Sequence, residues 1–409
     1  MTTQWMRARV LTPATPDTLT WLDDALVGVT DGCFTHVGPY DGRAVAHDLR
    51  AGVLLPGFVD AHVHFPQTRI IGSASGPLLA WLDKSTFPEE QRFADGAHAA
   101  VVAGEFADRM TAAGTTLSMV YSSVHPDACH TLLQTFADRG LRTIAGPVLM
   151  DEHCPEALQL AADEALPALE ALVGRWHGHD GRLAVAVVPR FALSCSADLM
   201  RRAGDLARAH GLWVTTHLSE NLDECRIATE RFGAADYLAV YEDLGLVHDR
   251  SVYAHCIHLS DSEWDRMAAA GAVVAHCPDS NDFLGSGGMA IGAALQRGVA
   301  VAMGTDVAAG RTFQIPRILS SAYDNGLRTG TPLSLAQLLW LGTRGGALAL
   351  KQEQVGQITV GQEADMVLVD VPPWATDAEG VLSSVFFDHD RPLPRCVWVR
   401  GTVVAGDVG

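Results

Sequence analysis

The sequence predicts an α/β protein centred on a (β/α)8 barrel of the TIM type, flanked by a small β-sandwich that both chain ends build. Two observations carry this expectation. Eight apolar, β-rich runs recur through the middle of the chain, each followed by a longer helical stretch. The ends instead hold short alternating segments separated by turn dipeptides. Near-continuous apolar strands alternating with helices indicate a parallel sheet covered on both faces, and eight such units over roughly 250 residues indicate a closed barrel.

In chain order, residues 26–30 and 33–37 flank Asp31-Gly32, a hairpin signal. The barrel runs then fall at 54–64, 115–121, 142–150, 183–191, 212–218, 251–258, 272–277 and 299–307. Among the helical stretches, 90–113 is rich in alanine and stops at Gly114. Another begins at Ser196, an N-cap residue, and ends at Gly211, while 261–270 and 333–350 read alike. Short strands return at 358–360, 366–369 and 397–404, the last broken by Arg400-Gly401. Neither end has enough apolar surface for its own core, so the expected division is 1–55 and 354–409 for the sandwich, with 56–353 for the barrel.

The chain has 409 residues, of which 48% are hydrophobic, and a formal net charge of -19. Acidic surfaces repel nucleic-acid backbones and anionic lipid, which excludes both as expected partners and favours a small neutral substrate. No apolar run reaches the roughly 18 residues of a membrane span. Residues 1–12 lack a signal-peptide pattern, and the eight cysteines form no Cys-x-x-Cys pair. A cytoplasmic protein with reduced thiols is expected.

Chemistry concentrates where the barrel strands end. In Pro56-Gly-Phe-Val-Asp-Ala-His62-Val-His64 the two histidines lie two apart, so on a strand they share one face and one metal. Two histidines on a solvated strand face are the bland alternative. His217, His255 and Asp306, however, also stand at ends of predicted strands, where barrel enzymes assemble their sites. Imidazoles and a carboxylate suit zinc, and iron(II) accepts the same donors. Glu220, three residues past His217, can relay protons beside the ion, the alternative being a first-turn acid of the next helix. Arg190 and Gln67 offer an in-plane guanidinium and amide to a planar heterocycle. Trp81 and Phe87 serve as a lid over the ring or as loop core. His258 and His276 are expected to be structural, His276 lacking an evident strand-end position.

These residues resemble the amidohydrolase superfamily, and within it the guanine deaminases. The phrases that carry the likeness are Phe65-Pro-Gln67-Thr, the stretch Trp81-Leu-Asp-Lys-Ser-Thr-Phe-Pro-Glu89, Pro189-Arg190-Phe191, His217-Leu-Ser-Glu220-Asn221, Ala275-His-Cys-Pro278 and Gly304-Thr-Asp306. The resemblance implies a single zinc ion per subunit on His62, His64, His217 and Asp306. It implies Glu220 as proton shuttle, His255 orienting hydroxide generated at the metal or polarising the substrate, and Asp306 assisting proton movement. Gln67, Arg190 and Phe191 would hold the purine, with Trp81, His217 and Glu220 beside it. It further implies guanine converted to xanthine and ammonia, within purine catabolism, by a homodimer. Two-metal relatives bridge their ions through a carboxylated lysine. Only Lys84 and Lys351 exist here, neither at a barrel strand end, which favours one ion.

Two departures bear on the exact substrate. Ala309 and Arg311 replace a more glycine-rich run after Asp306, and Asp279 stands where relatives usually carry asparagine. Deaminases of 8-oxoguanine, a pterin or an aminotriazine therefore stay open as alternatives. A catalytically inactive structural barrel and a cyclic-amide hydrolase are the others. Retention of every ligand weighs against the first, and the missing lysine against the second.

Overall fold

The computed structural model describes residues 2–390 and 394–408. The flanking strands come first: β1 (Gln4–Thr15), β2 (Thr18–Thr30), β3 (Cys33–Pro39) and β4 (His47–Pro56). The barrel strands are β5 (Phe58–His64), β6 (Thr115–Tyr121), β7 (Arg142–Gly146), the short β8 (Val148–Leu149), β9 (Leu183–Pro189), β10 (Trp213–Leu218), β11 (Ser251–His255), β12 (Val273–His276) and β13 (Ala300–Met303). β14 (Met366–Asp370), β15 (Cys396–Val399) and β16 (Thr402–Gly406) return to the flanking sheet.

The barrel strands pair in the order β13-β12-β11-β10-β9-β7-β6-β5, with β8 beside β9, every ladder parallel. Parallel neighbours need a crossover, which the intervening helices supply while covering the outer face. Backbone bonds beyond the strand ends join the first and last strands: the Asp306 amide donates to the His62 carbonyl (2.8 Å) and the His64 amide to the Val307 carbonyl (3.2 Å). Gly304 allows this approach, because a Cβ there would meet the His62 Cβ and the Cys277 Sγ at 2.8 Å.

The two chain ends pair, as expected, in one seven-stranded sheet of order β16-β15-β14-β4-β1-β2-β3 with its own apolar core around Met6, Phe34 and Trp398. Asp31 and Gly32 turn the β2–β3 hairpin with φ of 51° and 80°, and Arg400-Gly401 does the same between β15 and β16. The expected strand at 358–360 is absent. Ile358 instead gives its amide to the Thr12 hydroxyl (2.9 Å) and buries its side chain in the sheet's core, with no ladder partner.

Four other runs break. The first barrel run splits at Gly57, whose amide bonds to Asp365 of the flanking sheet while the next residue joins β5. Pro147, which has no amide to give, parts β7 from β8. The alanine-rich stretch divides into Phe87–Gln91, Arg92–Ala94 and Gly96–Ala112, since Asp95 caps the last helix by accepting from the Ala97 amide. Thr343 likewise separates Leu335–Gly342 from Arg344–Ala349. The helix Ala197–His210 begins and ends where expected, with Ser196 accepting from the Leu199 amide and Gly211 at φ 64°.

The sheet is tied to the barrel by charge as well as by chain. Arg142, fully buried on β7, pairs with Glu363 and reaches Asp365 at 3.4 Å, and Arg400 holds the same two carboxylates from β15's end. Removing the guanidinium takes from the buried Asp365 the cation that reaches it from the barrel, leaving only Arg400 beside it. Arg142→Leu should cost about 3–5 kcal/mol, read as a lower denaturant midpoint. An unchanged midpoint would show that the network contributes nothing to holding the two units together.

Candidate active site

Every strand-end residue singled out in the sequence points into the C-terminal mouth of the barrel. The chain achieves this by leaving the ladder early. Ser219, His255, Cys256 and Asp306 adopt left-handed backbone conformations, φ between 49° and 73°, which swing the chain off β10, β11 and β13. Non-glycine residues pay about 1–3 kcal/mol each for that conformation, so the surrounding fold must hold them there.

Five groups then converge. The Nε2 atoms of His62 and His64 lie 3.1 Å apart, and Asp306 Oδ1 is 3.3 Å and 3.2 Å from them. His217 and His255 stack in parallel across the mouth, ring centroids 5.5 Å apart. One ligand atom from each of His62, His217, His255 and Asp306 lies within 4.8 Å of the others. His217 Nδ1 donates to the Arg190 carbonyl (2.6 Å) and His255 Nδ1 to Asn281 Oδ1 (2.8 Å), leaving both Nε2 lone pairs aimed inward. His255 Nε2 is buried with no hydrogen-bond partner.

Burial drives two of the imidazoles toward neutrality: His62 is lowered to about 4 and His217 lies well below its ordinary value. Burial pushes Asp306 upward, yet hydrogen bonding to His62 and His64 keeps it well below the usual carboxylate range. Neutral imidazoles and an ionised carboxylate around one point are what a divalent cation requires, and their lone pairs repel one another without it.

Glu220 sits beside this cluster, fully enclosed. Its Oε2 is 3.4 Å from His255 Nε2, and Ser286 donates to Oε1 at 3.4 Å. Burial, then the charges of Asp306 and Glu224, raises its pKa well above that of an ordinary glutamate, suiting a group that takes and returns protons. Glu224 fixes the same turn by accepting the amides of Glu220 (2.9 Å) and Asn221 (3.1 Å), so that the first-turn acids of the next helix are Asp223 and Glu224 and not Glu220.

Against the cluster lies a narrow cavity bounded by His64, Gln67, Trp81, Arg190, Phe191, Glu220 and Ala309, among others. Trp81 lines it; Phe87 stands behind it instead, its ring 5.4 Å from the Arg190 guanidinium. The two departures turn out to be one feature, because Arg311 pairs with Asp279 through its guanidinium (2.5 Å) and its backbone amide (2.7 Å). His258 bonds the Ser286 carbonyl (3.1 Å), in keeping with a structural role. His276 corrects the sequence reading of its position: it is the last residue of β12, buried behind the cluster.

Sequence reasoning missed Glu90, whose buried carboxylate bonds both Gln67 and Arg190. A glutamate after Phe-Pro at a helix start reads as an ordinary first-turn acid, and nothing local marks it otherwise. It also missed Ser280, which donates to Asp306 Oδ2 at 2.5 Å.

The chain belongs to the amidohydrolase family, whose model matches residues 53–404. Among its relatives within that family are guanine deaminases. It is 39% identical to a protein of Deinococcus radiodurans described as a probable guanine deaminase, the match covering 96% of this chain and 95% of that one. The solved Escherichia coli guanine deaminase superposes with a TM-score of 0.93 at 32% identity, covering all of both chains. A guanine deaminase of C. acetobutylicum with guanine bound in its active site gives the same score at 27% identity, over 99% of this chain and all of that one.

Either His64 or His255 can complete the ligand set with His62, His217 and Asp306. His64 Nε2 is 3.2 Å from Asp306, whereas His255 Nε2 is 3.9 Å away on the Glu220 side. Metal analysis after zinc loading and dialysis should therefore find about one ion per chain in His255→Ala and far less in His64→Ala. The reverse pattern would exchange the two roles.

Proposed function

We infer that this chain is a metal-dependent deaminase that hydrolyses guanine to xanthine and ammonia. The observation that carries it is a cavity with two chemically distinct ends. At one end stand four histidines, Asp306 and Glu220. At the other stand Gln67 and Arg190, the donors that suit the edge of an oxopurine. Relatives across bacteria and mammals that carry the guanine deaminase name support the same reading.

His62, His64, His217 and Asp306 would hold the ion, for which zinc is proposed and iron(II) is the other candidate. When bound, such an ion acts as a Lewis acid that brings the pKa of a water molecule toward neutrality. The chain does the rest. Arg190 donates toward the ring carbonyl and Gln67 toward the neighbouring edge, fixing the ring plane against Phe191 and Trp81. Glu220 accepts a proton from water and delivers it to a ring nitrogen, which makes the amine-bearing carbon C2 electrophilic. His255 orients the attacking oxygen, which adds to C2. Asp306 and Glu220 then pass the second proton to the amine. The C2–N bond breaks, the oxygen becomes a carbonyl, and ammonia and xanthine leave.

All eight cysteines are free thiols, and among the described residues no helix is long and apolar enough to cross a membrane. The free thiols support the proposal of a cytoplasmic enzyme, and the likeness to guanine deaminases supports its further placing in purine breakdown as a homodimer.

Ammonia release by zinc-loaded protein offered guanine, 8-oxoguanine, a pterin, cytosine and adenine should be fastest with guanine. Turnover of another ring with guanine inert would refute the substrate while keeping the chemistry. Glu220→Gln should retain its metal and lose about 10²–10⁴-fold in kcat. Near-native turnover in that variant would remove Glu220 from the proton path.

A further inference from the structure

The one buried charge pair on the substrate side of the cavity joins four separate parts of the fold. Arg190, just past β9, donates through Nη1 to Glu90 Oε2 at 2.6 Å. Gln67, just past β5, donates through Nε2 to Glu90 Oε1 at 3.1 Å, while its own Oε1 accepts the Ala308 amide at 2.9 Å beyond β13. Glu90 itself comes from the segment Phe87–Gln91, which lies between the first barrel strand and its crossover helix. Each oxygen of this carboxylate thus engages a different base-reading side chain. Both Glu90 and Arg190 are almost wholly buried.

Two consequences follow from elementary electrostatics. The amide of Gln67 has one orientation, because Glu90 accepts only from its nitrogen and Ala308 donates only to its oxygen. The guanidinium of Arg190, which alone would make a buried pocket attractive to anions, is matched by one negative charge at hydrogen-bond distance. An arginine facing a ligand without such a partner selects carboxylates, phosphates and other anions. Paired, it still offers N–H groups to a carbonyl but contributes no net charge.

We propose that Glu90 is a positioning and specificity-determining residue that keeps the base-reading end of the cavity electrically neutral, so that it binds a neutral aminopurine in preference to an anionic oxopurine. The inference rests on the guanine reading. There it has a direct purpose: the product exchanges an amine for an oxygen and becomes a stronger acid, which loses a ring proton at mildly alkaline pH. A neutral pocket does not retain that anion.

The test compares two amine-free rings, which the enzyme cannot turn over. Calorimetric dissociation constants for xanthine and hypoxanthine are measured on the zinc-loaded full chain, at a pH between their first ring dissociations. Xanthine is then largely anionic and hypoxanthine largely neutral. In Glu90→Gln the xanthine-to-hypoxanthine ratio of dissociation constants should fall about tenfold or more, the scale of one unbalanced buried charge. Glu90→Asp should stay near the native ratio, and Glu90→Gln with Arg190→Gln should return to it.

An unchanged ratio in Glu90→Gln, or a ratio that stays shifted in the double variant, would overturn the proposal. Weaker binding of both rings in equal measure is the signature of a merely structural clamp and would overturn it too. Should Glu90→Gln fail to fold, Arg190→Gln alone reads the same effect with opposite sign: the uncompensated Glu90 should weaken xanthine relative to hypoxanthine about tenfold, and no change would sink the idea. Guanine turnover by the unsubstituted enzyme is scored separately. An enzyme inert toward guanine that still shows the shifted ratio would refute the substrate and leave charge selection standing.

Discussion

Where the last barrel strand returns to the first, a few hydrogen bonds do two things at once. The Asp306 amide bonds to the His62 carbonyl, the His64 amide to the Val307 carbonyl, and Asp60 receives the Thr305 amide (3.0 Å) and hydroxyl (2.5 Å) together with the His62 amide (3.2 Å). These bonds close the barrel between β5 and the residues just past the end of β13. They also fix Asp306 against His62 and His64, three of the donors that face the metal position. The site is therefore assembled by barrel closure itself and not by mobile loops added to a finished scaffold. His217 and His255 then need only the correct strand-end turn and one backbone or side-chain acceptor each.

Much of this was legible in the sequence, for definite reasons. Buried parallel strands are apolar throughout, so the eight runs stood out, and a polar residue at the end of such a run has few reasons to be there. His62, His64, His217, His255 and Asp306 were found by that logic. What stayed hidden were features whose meaning depends on distant parts of the chain. Glu90 is an ordinary helix-start acid until β9 brings Arg190 beside it, 100 residues on. The split at Gly57 follows from a bond to Asp365, and the loss of the strand at 358–360 from a bond to Thr12. Strand ends were overestimated at 251–258 and 299–307, because the left-handed residues that abandon the ladder have no local signature beyond their function.

Buried carboxylates do the differentiating work in this molecule, and each is set apart by its partners. Asp306 is kept ionised by its histidines, as its proposed role of metal ligand requires. Glu220, with burial and neighbouring acids raising its pKa, is a stronger base than an ordinary glutamate. Asp60 is raised to about 7 by burial, partly offset by its bonds from Thr305 and His62, and acts as a seam. Glu90 is matched to an arginine. One side-chain type yields a standing anion, a strengthened base, a brace and a counter-charge, according to which groups surround it.

The pairing of Asp279 with Arg311 has a consequence for how such sequences are compared. Taken position by position, an added acid and an added base near the mouth look like two independent changes, each with a cost. In the folded chain they neutralise each other, with the acid also holding the Arg311 amide. Either alone would introduce a lone charge at the rim, whereas together they leave its net charge untouched. Lineages should gain or lose the two as a unit, so that the informative character for tracing descent is the pair and neither residue by itself.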